Sequence, residues 1–505
     1  MPTQSVLARF AAQAQRRPDA TAVRWNGRAV SYRELRDMAE SAVTRLRENG
    51  VTAERAVCVV GRKSPETLAV LLACFISGHR VLLPPNDLGE STLLQLCAQA
   101  DCGYLVRVGS DRQPAGTTFH RLPAAAPDRP DPAPVGAPVP PGRPGLMLTT
   151  SGSTGLPKIV PLSADGVDNF VAWAADQFEI GADSVVLNYA PLNFDLCLLD
   201  VWTSLARGAC VLLVDEDAAT RGDHLLDLVA GASVVQAVPM LFRLVTDAAA
   251  AAGAAQRPLA GVRQVVFTGD VMPADVLGSV CGLFPRAALY NLYGCTETND
   301  SFLHRVEAAA PEPDGPLPIG RPIPGVTAAV IDPDGALLDG AGTGELLVRT
   351  PFQAAGYLDP RLDEGRFVAA PAGLPAGRYY RTGDLVRRDE AGVLTLLGRA
   401  DFHVKVRGVR VNTQEVEAVI AQHEEVIEAA VVAIPDRLAG HRLHAVVRRT
   451  PDGTLNGLQL RQHCAARLAR TAIPRRVEIS DEPLPRTSTG KLDRHQVRIT
   501  QLGGK

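Results

Sequence analysis

Apolar positions along the first four fifths of the chain switch between two periods. Leu35, Met38, Ala39, Ala42, Val43 and Leu46 recur every three or four residues, which predicts an amphipathic helix, and Asn49-Gly50 predicts its end. Short runs rich in β-branched residues, Val57–Val60, Val211–Val214, Ser233–Val238 and Val262–Phe267, predict strands. Helices are expected between them, as at Glu66–Ile76 and Met240–Ala252. Such alternation points to mainly parallel α/β sheets buried on both faces. Beyond residue 400 the pattern shortens to α+β. Strands are expected at Phe402–Val406, Ala429–Ile434 and Leu443–Val447, with helices at Glu415–Ala421 and Leu458–Leu468. Asn412, with Glu415 three residues on, predicts the cap of the first of these helices. The expected organisation is a core over residues 1–399 and a smaller domain over 400–505. Residues 123–144 hold nine prolines and predict an exposed, semi-rigid connector.

Composition removes several function classes. The formal net charge is −3, with 52 basic and 55 acidic residues, so no excess of either sign suggests nucleic acid as a partner. No apolar run reaches the ~18 residues that cross a bilayer, and the N-terminus lacks the apolar stretch of a signal peptide. Nine cysteines without metal-ligand spacing read as reduced thiols in a cytoplasmic protein.

The chemistry concentrates first at residues 146–158, LMLTTSGSTGLPK. An apolar strand runs into a turn that carries Thr149, Thr150, Ser151, Gly152, Ser153, Thr154 and Gly155, followed by Lys158. Glycines let backbone amides approach an anion, hydroxyls add donors, and the lysine adds charge. This suits a polyphosphate, although the spacing is not that of a Walker A loop.

The segment TSGSTGLPK resembles the phosphate loop of the adenylate-forming superfamily, which contains acyl-CoA synthetases, luciferases and peptide-synthetase adenylation domains. Further resemblances follow in the family's order: VSYREL (Val30–Leu35), NLYGCTET (Asn291–Thr298), GELLVR (Gly344–Arg349), YRTGDLVR (Tyr380–Arg387), GRADFHVKVRGVRVNTQEVE (Gly398–Glu417) and PRTSTGKLDR (Pro485–Arg494). The fold this implies is α/β: a large N-terminal domain of α/β layers and a distorted β-barrel, with a small mobile α+β C-terminal domain. The cofactors implied are ATP and Mg²⁺. Asn291, Tyr293 and Gly294 are expected at the adenine, Thr296 near the phosphate, and Glu297 on the metal. Asp384 is expected on the ribose hydroxyls, with Arg399 beside it and Asp401 at the hinge. Lys491 is expected to stabilise charge at the α-phosphate, and Lys405 to act during thiol transfer. The implied reaction joins a carboxylate to AMP and then passes the acyl group to a thiol, without a covalent enzyme intermediate.

APLNFDLCLLDVWTSLARGA (Ala190–Ala209) resembles the family's acid-binding helix. Asp195 stands where amino-acid-activating members bind the substrate's amino group, and ammonium and carboxylate compensate each other's desolvation. Asp200 is a rival acid expected to be structural. Motif spacing places Leu196, Leu199, Met240, Val266, Thr268, Gly269, Leu292, Asp300 and Ser301 around the rest of the substrate. Most are apolar, which suggests a small or modest side chain such as that of alanine or proline; Asp300 breaks the picture.

The chain ends eleven residues after Arg494, so a carrier protein with a phosphopantetheine arm is expected to act in trans. Arg475, Arg476, Arg387 and Arg388 are candidates for a basic face that meets it. The resemblance thus points to a monomeric, free-standing amino-acid adenylation enzyme of nonribosomal-peptide or other secondary metabolism, such as antibiotic biosynthesis. Alternatives are an acyl- or aryl-CoA synthetase, a β-amino-acid-activating variant, and a non-catalytic binding protein on the same scaffold. SGHRVLLPPND (Ser77–Asp87) and LARTAIPRR (Leu468–Arg476) depart from the family's wording and suggest a divergent branch.

Overall fold

A computed structural model of the chain describes residues 5–86, 88–109, 117–122, 144–150, 157–253, 258–307, 316–332, 334–399, 402–406, 409–436, 440–451, 453–468, 472–486 and 492–503. Its contacts divide into two units. The first comprises Met1–Ala329, Leu347–Thr382 and Asp389–Thr395; the second comprises Val330–Leu346, Gly383–Arg388 and Leu396–Lys505.

The first unit is layered α/β. One sheet has nine strands, in the order Arg321–Pro322, Asn299–Val306, Ala288–Cys295, Gln264–Thr268, Val234–Ala237, Val185–Asn188, Cys210–Leu213, Thr21–Trp25 and Arg28–Ser31. The six strands from Ala288–Cys295 to Thr21–Trp25 run parallel. A second sheet has six strands, and Ala56–Gly61, Val81–Leu82, Cys102–Val108 and Pro144–Thr150 are parallel within it. The parallel strands are mostly apolar because both faces are covered, as the runs around Val57, Val211 and Val262 anticipate, with Asn188, Gln236 and Asn291 as buried polar exceptions. The Pro-rich run lies outside the described residues except for Pro144, which begins a strand.

Local chemistry accounts for the element ends. The helix Tyr32–Glu48 opens with a capping box in which Ser31 and Glu34 satisfy each other's free amides, worth ~1 kcal/mol. Its end comes at Asn49, with Gly50 at φ 69° as the left-handed stop. The VSYREL motif therefore has a structural reason: Tyr32 is fully buried and its hydroxyl donates to Ala209 O at 2.8 Å. Pro65 and Pro239 stand in the first turns of the helices Pro65–Ile76 and Pro239–Ala251, where a missing N–H costs nothing.

A third, five-stranded sheet contains Thr327–Ile331, Gly342–Arg349, Arg378–Arg388, Phe367–Ala369 and Leu394–Arg399, and the division into units cuts through its strands. In the second unit, Val409–Asn412, His403–Val406, Gly440–Arg449 and Val426–Asp436 form an antiparallel sheet, with Arg476–Ser480 parallel to Gly440–Arg449. Side chains alternate strictly. Val431, Leu443, Ala445 and Val447 face the helices Thr413–Ala421 and Gly457–Ala465, whereas Ala430, Val432 and Val446 pack with Val497 of the helix Arg494–Gly503. Asn412 caps its helix by accepting from Gln414 N, without a reciprocal bond from Glu415. The helix predicted to reach Leu468 ends at Ala465.

All nine cysteines are unpaired, seven of them buried. Among the described residues no helix is long and apolar enough to cross a membrane.

Candidate active site

Neighbouring strands of the nine-stranded sheet bring three of the expected acid-pocket residues, Thr268, Leu292 and Asp300, together. Thr268 ends the strand Gln264–Thr268, and Leu292 is its neighbour on Ala288–Cys295. Asp300 lies on the next strand, opposite Gly294. A side chain at Gly294 would meet Asn299 O at 2.2 Å and Asp300 Cα at 2.5 Å, so the strands approach this closely only with glycine there. Leu199, Val266 and Leu292 are buried in one apolar cluster. Leu196 is buried and Met240 half-buried, while Gly269 is exposed, with φ 82°.

Polar groups divide this region. Asp195 is half-buried, directly before the turn that enters the π-helix Leu198–Thr203. Asp300 is 6% exposed and accepts from Thr268 Oγ1 at 3.3 Å. Burial, and then the charge of Asp195, push the Asp300 carboxyl up to about 8. Ser301 spends its hydroxyl on Asn299 O at 2.8 Å and closes the turn rather than offering a free donor.

Asp200 is fully buried and accepts from Asn188 Nδ2 at 3.0 Å. Lys63, also buried, donates to Tyr189 O at 2.7 Å and to Asn188 O at 3.4 Å. Burial lifts Asp200 to about 7 and lowers Lys63 to about 8, and each charge partly offsets the other's shift. This pair holds the chain just before Asp195 and fits the structural role expected for Asp200. Lys63 escaped the sequence reading because nothing local marks it as a partner of residues 125 positions away.

The strands that flank the phosphate segment pair antiparallel, Thr149 with Ile159 and Thr150 with Lys158. Ser151, Gly152, Ser153, Thr154 and Gly155 lie outside the described residues. The buried Thr149 hydroxyl has no hydrogen-bond partner among the described residues, so it keeps a donor for a ligand or for its own loop.

The NLYGCTET motif forms the hairpin beside it. Asn291 donates to Pro318 O at 2.8 Å. Tyr293 is half-buried, edge-on to Phe302 at 5.7 Å. Thr296 is half-buried. Glu297 is 7% exposed and accepts from Tyr357 at 2.6 Å; Tyr357 also bonds the Tyr380 hydroxyl at 3.1 Å. The Lys158 ammonium sits 4.8 Å from the centre of the Tyr357 ring. Burial and the Glu297 charge raise both tyrosines well above the usual phenol range, so both remain donors. Tyr357 and Tyr380 are site residues to which the sequence reading assigned no role. Tyr380 stood inside a quoted motif, and Tyr357 carried no signal.

In the second unit, Arg399 pairs with Asp384 at 3.0 Å, and Arg399 N donates to Gln414 Oε1 at 3.2 Å. Lys405 lies on a strand opposite Arg410. Asp401 and Lys491 lie outside the described residues. Both flanks of the Lys491 loop are pinned: Arg486 bridges Leu492 and pairs with Glu428, and Arg494 grips Glu417 through two bonds of 2.9 and 2.6 Å.

The expected basic face divides. Arg388 donates to Gly340 O and Leu338 O, so it is occupied, and Arg387 is exposed. Arg475 and Arg476 line a groove of about 480 Å³ with Arg442, His444, Leu458 and Arg461. Burial lowers the His444 imidazole, and the charges of Arg476, Arg442 and Arg475 add to that effect.

Residues 10–358 match the AMP-binding enzyme family, and residues 415–491 match the AMP-binding enzyme C-terminal domain. An L-proline--[L-prolyl-carrier protein] ligase of Pseudomonas fluorescens is 31% identical over 497 residues, covering 95% of this chain and 96% of the relative. Its namesake in Streptomyces coelicolor is 33% identical over 499 residues, covering 92% and 91%. Against Tyrocidine synthase 2 of Brevibacillus parabrevis the identity is 29%, over 98% of this chain but 14% of that much longer protein. Among solved structures, ATP-bound MatB of Rhodopseudomonas palustris shares the fold with a TM-score of 0.80 at 23% identity, covering 99% of each chain. Motifs, fold and full-length similarity agree: the chain belongs to the AMP-binding enzyme family and is an AMP-forming ligase.

Proposed function

We propose that this protein activates an amino acid with ATP as aminoacyl-AMP and passes it to the phosphopantetheine thiol of a separate carrier protein. The carrying observation is the end-to-end similarity to two amino acid–carrier protein ligases. Asp195 supports it, because a half-buried carboxylate at the pocket suits an ammonium group. A simple acyl or aryl acid offers that carboxylate no counter-charge, which disfavours the CoA-synthetase reading. Leu196, Leu199, Val266 and Leu292 favour a compact side chain, on the scale of alanine or proline.

The substrate carboxylate forms a bond to the α-phosphorus of ATP while the bond to pyrophosphate breaks. The carrier thiol then attacks the carbonyl, AMP leaves, and the thiol proton passes to solvent. Thr149, Thr150, Lys158 and the loop between them bind the phosphates. Tyr293 stacks against adenine beside Asn291 and Gly294, and Thr296 contacts phosphate. Glu297 fits a magnesium ligand: it is a hard oxygen donor oriented by Tyr357, and Mg²⁺ commonly takes one or two carboxylates along with substrate phosphates. Bound Mg²⁺ supplies neutralisation of phosphate charge. Asp384, oriented by Arg399, accepts from the ribose hydroxyls, and Lys491 stabilises charge building at the α-phosphorus. Lys405 acts in the thiol step, with Asp401 as hinge. The arginine-lined groove around Arg475 and Arg476 docks the acidic face of the carrier.

The test is ATP–pyrophosphate exchange with a panel of amino acids, fatty acids and aryl acids. Exchange confined to amino acids supports the proposal. Exchange only with acids that lack an amine overturns it in favour of a CoA synthetase.

A further inference from the structure

Arg494 stands three residues after Lys491 and opens the helix Arg494–Gly503. Its guanidinium makes two bonds to Glu417, from Nε to Oε1 at 2.9 Å and from Nη2 to Oε2 at 2.6 Å. The same group lies over the Phe402 ring, 5.3 Å from its centre. Glu417 belongs to the helix Thr413–Ala421, is buried, and also accepts from Val431 N at 2.7 Å. Phe402 directly follows Asp401, the expected hinge, and its carbonyl accepts from Thr413 Oγ1 at 3.3 Å. One arginine therefore joins the residue after the hinge, the helix Thr413–Ala421 and the segment after the proposed catalytic lysine. A bidentate guanidinium–carboxylate pair fixes orientation as well as distance, and a lysine cannot reproduce the fork and the ring contact together.

The base of the lysine loop is closed separately. Arg486 and Leu492 form an antiparallel bridge, and Asp493 N donates to Pro485 O at 2.8 Å. Glu428 holds the incoming limb through Arg486 and through Leu484 N at 3.2 Å. Arg494 holds the outgoing limb, on which Lys491, Leu492, Asp493 and Arg494 are consecutive. Neighbouring Cα atoms stand about 3.8 Å apart across a trans peptide, so whatever fixes Leu492 and Arg494 fixes the base of Lys491. The two helices have apolar anchors of their own, Val416 and Ile420 in one cluster and Val497 in another. What the ion pair adds is their placement relative to each other and to Phe402.

We propose that Arg494, clamped by Glu417, is a positioning residue for Lys491: it fixes the backbone from which the lysine acts in adenylation and takes no part in the thiol step. The proposal rests on the role given to Lys491 above and deepens it by naming what aims that side chain. Misplacing a catalytic group by about 1 Å can cost ~100-fold in rate. Binding of ATP and of the amino acid depends on groups other than Lys491. The loss on breaking the clamp therefore falls on kcat of the first half-reaction, and KM and the second half-reaction are spared.

The experiment compares the wild type with Lys491→Ala, Arg494→Met, Arg494→Lys and Glu417→Gln, all as the full chain. Two rates are measured. One is ATP–pyrophosphate exchange with the amino acid that the panel above identifies. The other is transfer from the preformed aminoacyl-AMP of that amino acid to free pantetheine, above the uncatalysed rate. For Arg494→Met the expected exchange kcat is at least about tenfold below wild type, with KM for ATP and for the amino acid within about threefold and transfer within about twofold. Glu417→Gln, which keeps the shape of the side chain, shows the same split between the two rates, and Arg494→Lys falls between wild type and Arg494→Met. These two milder variants carry the test if Arg494→Met folds poorly. Retained transfer shows that the second unit is folded, since Lys405 and Asp401 serve that step. Equal loss of both rates in Arg494→Lys and Glu417→Gln overturns the proposal in favour of a purely structural pair, and exchange at the wild-type rate in Arg494→Met overturns it as well. Full exchange in Lys491→Ala overturns the catalytic reading of the lysine itself, whatever the Arg494 variants do.

Discussion

Tyr357→Phe isolates one bond at the proposed metal ligand. The Tyr357 hydroxyl donates to Glu297 at 2.6 Å and meets the Tyr380 hydroxyl at 3.1 Å. Phenylalanine keeps the ring, its edge contact with Phe367 at 5.6 Å and the face beneath Lys158. The change therefore removes a donor without opening a cavity. A hydrogen bond to a charged group contributes about 1.5–3 kcal/mol, and Glu297 is too buried for water to replace the donor fully. Thermal melting should fall by a few degrees at about 2–4 °C per kcal/mol. A Glu297 free to rotate should also hold metal less well, raising the Mg²⁺ concentration for half-maximal pyrophosphate exchange about tenfold, equivalent to ~1.4 kcal/mol. Because burial and the Glu297 charge keep both tyrosines protonated, the effect should be flat from pH 6 to 9. Tyr380→Phe should cost less, ~1 kcal/mol, since its bond joins two neutral groups. Unchanged melting together with an unchanged Mg²⁺ requirement in Tyr357→Phe would refute the orienting role.

Asp195→Ala should lower kcat/KM for the amino acid by at least ~100-fold, because removing one partner of a desolvated charge pair costs about 3–5 kcal/mol; ATP binding, followed by equilibrium dialysis, should persist. Arg475→Glu combined with Arg476→Glu should raise KM for the carrier protein and weaken its salt dependence. Pyrophosphate exchange, which needs no carrier, should stay at the wild-type rate, and a parallel loss of both would contradict the docking assignment. Lys63 makes a pH prediction. Its folded value of about 8 lies below the usual lysine value, so the unfolded chain binds more protons between about pH 8 and 10.5, and stability rises with pH across that window. Relative to Lys63→Met, the wild type should gain up to about 3 kcal/mol there, read as converging melting temperatures if Lys63→Met is the more stable at pH 8.

Much of the architecture was legible because its causes are local. The helix over Leu35–Leu46 shows itself by spacing and ends at Asn49-Gly50 for a backbone reason. The parallel strands announce themselves as mainly apolar, β-branched runs, since burial on both faces leaves few polar positions. The apolar strand that leads to Thr149 and Thr150 could be read from the sequence because its residues are contiguous. Shorter-range details were less secure: Glu415 takes no part in its helix cap, and the last turn before Leu468 is not helical.

What the sequence alone determined, then, is the family, the layered fold and the contiguous motifs, because each depends on neighbours within a few residues. The tertiary structure decided which distant groups share charge and protons. Tyr357 reaches Glu297 across 60 positions, Arg494 reaches Glu417 across 77, and Lys63 reaches Asn188 across 125. Asp195 and Asp300 look like two ordinary acids in the chain, one expected to bind an amine and the other unexplained. The fold buries Asp300 and brings the charge of Asp195 to bear on it, which raises the Asp300 carboxyl above the usual carboxylate range. Hydrophobic periodicity sets which elements form and which face they bury. It carries no information about which distant polar groups come to share a hydrogen bond.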